Sequence, residues 1–217
     1  MYKLLLSLSF CLLMSLSSIA SHVGGGVINV SVDSNDVATI DLFMYRDGAG
    51  ITFPASFSIN LTDPGSVTQS VALSFITQDT ISDTPFFMER YHYSGTIALT
   101  ASGSYTAMIA APCCRNAAVQ NVPSSTPTVL TTTFTHSMGS SLNTPVFLTA
   151  PIAKFPKDSL WTYNPMPYDA DGDSLYWSLG GNGYINNYTI PPSNPGGALS
   201  IDPNSGVISW NASQVGI

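Results

Sequence analysis

Apolar and polar residues alternate along much of this chain. Ser56–Leu61 reads Ser-Phe-Ser-Ile-Asn-Leu, which sets Phe57, Ile59 and Leu61 on one side and short polar residues on the other. A period of two is that of a strand with one face buried. Ala38–Tyr45 places Ile40, Leu42 and Met44 on one face in the same way. Val27–Val32, Val67–Ile76, His92–Thr100, Ser104–Ala110 and Val129–Thr135 share the texture, rich in Val, Ile, Thr and aromatics. Turn signals such as Pro64-Gly65 and Ser102-Gly103 separate them. After the first 20 residues no stretch has the 3.6-residue period of an amphipathic helix. The pattern predicts an all-β chain whose first part, residues 21–145, is a β-sandwich domain.

The first 20 residues follow a different rule. Lys3 precedes an apolar run from Leu4 to Leu16, and Ser18-Ile19-Ala20 is a small-x-small cleavage site. These are the parts of a secretory signal, and the run is short for a membrane-spanning helix. An exported protein is expected, secreted or held at the cell surface, with no transmembrane segment in the mature chain. Only Cys113 and Cys114 then remain, and they are adjacent. Zinc sites space their cysteines more widely, so a vicinal disulfide or two free thiols is expected.

Prolines 145, 151 and 156 punctuate a boundary, and the texture changes after it. Residues 146–217 read as a second module of short strands: Ser174–Leu179, Leu199–Ile201 and Val207–Trp210. A complete sandwich takes about 100 residues, so this module is expected to be incomplete.

Composition narrows the function. Charged residues make up 9% of the 217, against about 25% in an ordinary soluble domain, while 44% are hydrophobic. That balance argues against disorder. Six Lys and Arg against 13 acidic residues build no basic patch, which excludes nucleic acid as a partner. Glu89 is the only glutamate, and no nucleophile elbow or phosphate loop occurs, so the protein is expected not to be an enzyme. His22, His92 and His136 lie far apart and read as surface or turn residues.

The sharpest local signal is Asp169-x-Asp171-Gly172-Asp173. Carboxylates this close repel one another unless a cation neutralises them, and calcium takes six to eight oxygen ligands from flexible acidic loops. Ser174 and Gly180 stand where an EF-hand needs its glycine and its glutamate, so the loop is not an EF-hand. Asp169, Asp171 and Asp173 are candidate calcium ligands, and Asp202 could complete the site from another loop. An ion-free acidic turn is the other reading.

Here the chain resembles a family. Asp169–Leu179, followed by Leu199-x-Ile201-Asp202-Pro203-x-Ser205-Gly206-x-Ile208-x-Trp210, looks like the cadherin-like and Ig-like repeats of secreted bacterial surface proteins. Leu42–Asp47 and Cys113-Cys114-Arg115-Asn116 are similar to the N-terminal region of large surface proteins of gliding bacteria. The resemblance implies a cadherin-like or Ig-like β-sandwich for 146–217, and a structural or adhesion role at the cell surface, stiffened by calcium. Other surface proteins or glycans would be its partners. Gly48 stands where that family has a cysteine after Tyr45-Arg46-Asp47, so the family's usual bridge to the Cys-Cys pair is missing.

A rival reading is a carbohydrate-binding or accessory module of a secreted hydrolase. Trp161, Tyr163, Tyr176, Trp177 and Tyr184 would be its stacking platform. In a strand Tyr176 and Trp177 face opposite ways, so one of the two is expected to be exposed.

Overall fold

A computed structural model describes residues 23–48, 52–81, 88–111, 127–150, 157–179 and 192–213. The expected signal segment, the Cys113–Cys114 pair, Tyr184 and the prolines 151 and 156 lie outside the described residues. Within them the fold is all-β and sandwich-like. No helix among them is long and apolar enough to cross a membrane.

Seven strands carry the first part: β1 Val23–Val32, β2 Val37–Asp47, β3 Ser56–Thr62, β4 Thr68–Thr80, β5 Met88–Ala98, β6 Gly103–Ala111 and β7 Thr128–His136. The strand β8, Leu142–Asn143, joins them in one antiparallel sheet of order β7-β6-β3-β4-β5-β2-β1-β8. The sheet curls until its ends meet. Thr132 Oγ1 of β7 donates to the Ile28 carbonyl of β1 at 2.7 Å. A side chain at Gly26 of β1 would collide with Leu130 of β7 and with the Phe43 carbonyl, so only glycine lets these strands approach.

The alternation seen in the sequence decides which face goes inward. Phe57, Ile59 and Leu61 of β3 join Ile40, Leu42 and Met44 of β2, Leu73 of β4, Tyr91 and Tyr93 of β5, and Ile109 of β6 in one buried core. Each such side chain contributes about 1.5–3 kcal/mol by leaving water. The outward positions of β3, β6 and β7, and of β4 from Thr68 to Ser74, carry no charge. Ser70, Asn60, Met108 and Thr131 form one row across the four strands, and Thr68, Thr62, Thr106 and Thr133 the next. Hydroxyls bond along the second row, Thr62 to Thr68 at 2.9 Å and Thr106 to Thr133 at 3.2 Å.

One charged pair sits inside. Arg46 Nε donates to Glu89 Oε2 at 2.6 Å, and the Tyr91 hydroxyl donates to the same oxygen at 3.1 Å. Arg46 and Glu89 face each other across β2 and β5. Arg90, on the other side of β5, pairs with Asp79 of β4 at 2.7 Å. Strand geometry sends neighbouring side chains to opposite faces, which puts Glu89 and Arg90 of β5 in two separate pairs.

The second part is lighter. β9 Val146–Phe147 pairs with β11 Pro167–Tyr168, and β10 Leu160–Tyr163 and β12 Ser200–Ile201 flank β13 Ile208–Asn211. The last two match the strands expected at Leu199–Ile201 and Val207–Trp210. Residues 174–179 form no strand. The Trp177 amide donates to the Pro203 carbonyl at 2.9 Å, but no ladder extends from that bond.

Glu89→Ala is expected to destabilise the fold by about 3–5 kcal/mol, because it leaves the Arg46 charge buried without its carboxylate. Arg46→Met with Glu89→Leu should recover most of that loss. Urea unfolding midpoints of the two variants check both statements.

Candidate functional site

The acidic loop leaves β11 at Tyr168 and closes on its own first carboxylate. Asp169 Oδ1 accepts from the amides of Asp171 at 2.9 Å and Asp173 at 3.2 Å. Gly172 has φ +83°, which favours glycine, and this accounts for Gly172 between two aspartates. The turn aims Asp171 away from the loop and onto β8. Asp171 Oδ2 accepts the Asn143 amide at 2.6 Å, and Oδ1 accepts Asn143 Nδ2 at 2.9 Å. The neighbouring Thr144 is buried, and its Oγ1 accepts the Val30 amide at 2.9 Å while its own amide donates to the Val30 carbonyl. Asp171 thus fastens the loop to the place where β8 docks on β1.

Those two donors, the Asn143 side chain first and its backbone second, hold the Asp171 carboxyl below the usual carboxylate range. Asp202 lies in a separate turn. Its Oδ1 accepts from the Ser205 amide at 2.7 Å, the Ser205 hydroxyl at 2.9 Å and the Asn204 amide at 3.0 Å. These bonds, the Ser205 amide foremost, lower its pKa too.

The donor set is of the kind calcium takes, oxygen-only and anionic. Among the described residues, however, no three His, Cys, Asp or Glu side chains converge where they could hold one ion. Asp169, Asp171 and Asp173 share a turn, and Asp202 caps another.

Trp177 joins the two turns. Its ring covers Gly206, where an added side chain would collide with the indole. Its other neighbour is Phe147 of β9, with ring centroids 5.7 Å apart. Pro145, Val146, Phe147, Leu175, Tyr176 and Trp177 line a cavity of about 220 Å³. Tyr176 stands at its rim, 80% exposed, while Trp177 is half-buried. One of the two was expected to be exposed, and Tyr176 is.

Trp161 and Tyr163 stack on β10 with centroids 5.8 Å apart and rings nearly parallel. The Tyr163 hydroxyl donates to the Ala150 carbonyl at 2.7 Å, and burial pushes its pKa up.

Two histidines are not the surface or turn residues the sequence suggested. His136 is fully buried with Nε2 2.8 Å from Asp36 Oδ1, and the same oxygen accepts the Gly139 amide. His92 is half-buried, 2.7 Å from Asp41 Oδ1, and stacks on Phe43. The partners are 100 and 51 residues apart, so only the sheet register brings them together.

Compared with protein-family models, curated proteins and solved structures, the chain matches none.

A lowered pKa in the folded state contributes stability that is present above the unfolded value, near 3.9, and is lost as pH falls through the folded value. The Asp171 carboxyl should therefore titrate below that value, and Asn143→Ala should move its midpoint upward toward it. Carboxyl-carbon NMR titration of Asp171 in the two proteins reads the difference.

Proposed function

We infer that the chain is an exported structural module of a bacterial cell-surface protein, built for adhesion or for spacing along the envelope. The observation that carries this reading is the Asp171–Asn143 contact. A single carboxylate takes both donors of one residue and ties the segment after residue 146 to the edge of the eight-stranded sheet. Two charge-assisted bonds in a fork fix orientation as well as distance. A module that transmits position along a surface needs that restraint at its junction. The small number of charges and the hydroxyl-rich outer face suit contact with uncharged surroundings. The partners on this reading are other surface proteins or glycans.

Calcium belongs to the same proposal. Asp169, Asp171 and Asp173 would hold the ion, with Asp202 from the neighbouring turn. When bound, it would supply positive charge to a loop whose carboxylates repel one another. The chain's own residues act independently of it. Asp169 shapes the turn, Asn143 anchors it, and Gly172 permits its backbone conformation.

Thermal unfolding in calcium and in chelator tests the reading. A ligand bound only to the folded state adds about 2.7 kcal/mol at a hundredfold excess over its Kd. A rise in Tm with calcium, lost in Asp173→Ala, is the expected outcome. An unchanged Tm would remove the ion from the proposal and leave the junction role to the Asn143 contact. In limited proteolysis, Asn143→Ala should speed cleavage between residues 143 and 171 while the eight-stranded sheet stays intact. Unchanged cleavage would overturn the junction role.

A further inference from the structure

The geometry points to the open edge of β4, from Ile76 to Thr80, as a surface of self-association, on which two copies of this chain pair antiparallel across a two-fold axis at Gln78. The inference deepens the adhesion reading by making the partner a second copy. It rests on that reading for the crowding that a short contact needs.

The edge follows from the ladder. β4 pairs with β3 only from Thr68 to Ser74, and the last bond on that side runs from the Phe75 amide to the Ala55 carbonyl. Beyond it β4 continues to Thr80 beside β5 alone. The Ile81 amide donates to the Met88 carbonyl directly opposite, which makes those two a hydrogen-bonded pair. Such pairs alternate along an antiparallel ladder. Asp79 and Thr77 therefore bond to β5, while Gln78 and Thr80 turn their backbone groups to the open side. Among the described residues nothing meets those groups. Ile76, Thr77, Gln78 and Thr80 are all exposed. Natural sheets blunt an edge of this kind with lysine, proline or unpaired charge. This stretch has no Lys and no Pro, and its one charge, Asp79, is matched by Arg90. The bulge between Phe75 and Thr77 lies at its end and leaves the Gln78–Thr80 part regular.

The side chains select the occupant and the register. A carboxamide carries both a donor and an acceptor, so Gln78 is complementary to its own copy. With the axis at Gln78, Asp79 faces Thr77 of the second copy and Thr80 faces its Ile76. An axis at Asp79 would match the backbone groups equally well but set two like charges directly opposite, which is unfavourable. Five edge residues a side are few against the roughly 20–30 of a stable interface. The contact is therefore weak, and it acts where many copies share one surface.

Sedimentation equilibrium of the full chain tests this. The wild-type mass should rise with concentration. Gln78→Lys and Gln78→Glu should each weaken association about fivefold, since each sets like charges opposite one another. An equimolar mixture of the two should associate at least as tightly as the wild type. The Tm of the dilute variants should stay unchanged, because Gln78 is exposed. A covalent trap checks the register. With the chain's cysteines replaced by serine, Gln78→Cys should form a disulfide-linked dimer far faster than the equally exposed Thr80→Cys. Opposed residues of a hydrogen-bonded pair have Cα atoms about 5.5 Å apart, within the reach of a disulfide. Two Thr80 residues would stand about 13 Å apart along the strands. A mass that stays monomeric at every concentration, equal cross-linking at the two positions, or no gain on mixing the charged variants would overturn the inference. An edge that takes a strand of a different protein instead would give the same negatives. The proteolysis comparison at Asn143 does not involve β4, so failure here and failure of the module reading are separate results.

Discussion

A β-strand has two edges, and both must find partners. In this protein the strand that sets that problem is β1. One edge is filled by β2 along its whole length. The other is shared: β8 pairs at Ser31 and Val32, Thr144 serves both backbone groups of Val30, and Thr132 of β7 reaches the Ile28 carbonyl. Unpaired backbone groups out of water cost about as much as a lost hydrogen bond, so this sharing ties the closing of the sheet to the path of the chain beyond it. Everything that follows β7 must start from the rim of β1.

The acidic loop inherits its position from that constraint. Asn143 is held by Ser31, and Asp171 is held by Asn143. The loop is therefore part of the sheet's closure as well as a turn between short strands. The cavity lies just beyond, between the residues that leave Asn143 and those that leave Asp173. Sheet edge, carboxylate and cavity form one chain of dependence, with Trp177 at its end.

Much of the sheet was legible in the sequence because local alternation reports directly on burial. The seven long strands lie where the period-two pattern placed them, and Phe57, Ile59 and Leu61 point inward as expected. The short strands β8 to β11 were not legible, since two to four residues carry no period. Ser174–Leu179 shows the reverse case: its residues have strand propensity, yet among the described residues a single backbone bond, from Trp177, meets a neighbour. Propensity needs a partner edge before it becomes a strand. The four aspartates of the candidate site were visible as residue types, but Asn143 was not. It lies 28 residues from Asp171 in the chain, and no local signal marks an asparagine that will face a carboxylate. The pairs Arg46–Glu89 and His136–Asp36 escaped for the same reason.

The rows of threonine, serine and asparagine on the outer face have a consequence for the protein's surroundings. Dissolved ions act on a protein surface chiefly through its charges, and β3, β6, β7 and the Thr68–Ser74 part of β4 offer none outward. Threonines 62, 68, 106 and 133 satisfy one another's hydroxyls in part, which also lowers their demand on water. This side of the molecule should behave alike in fresh water and in brine, while the acidic side responds to both. The molecule thus presents its surroundings with an indifferent face and a responsive one.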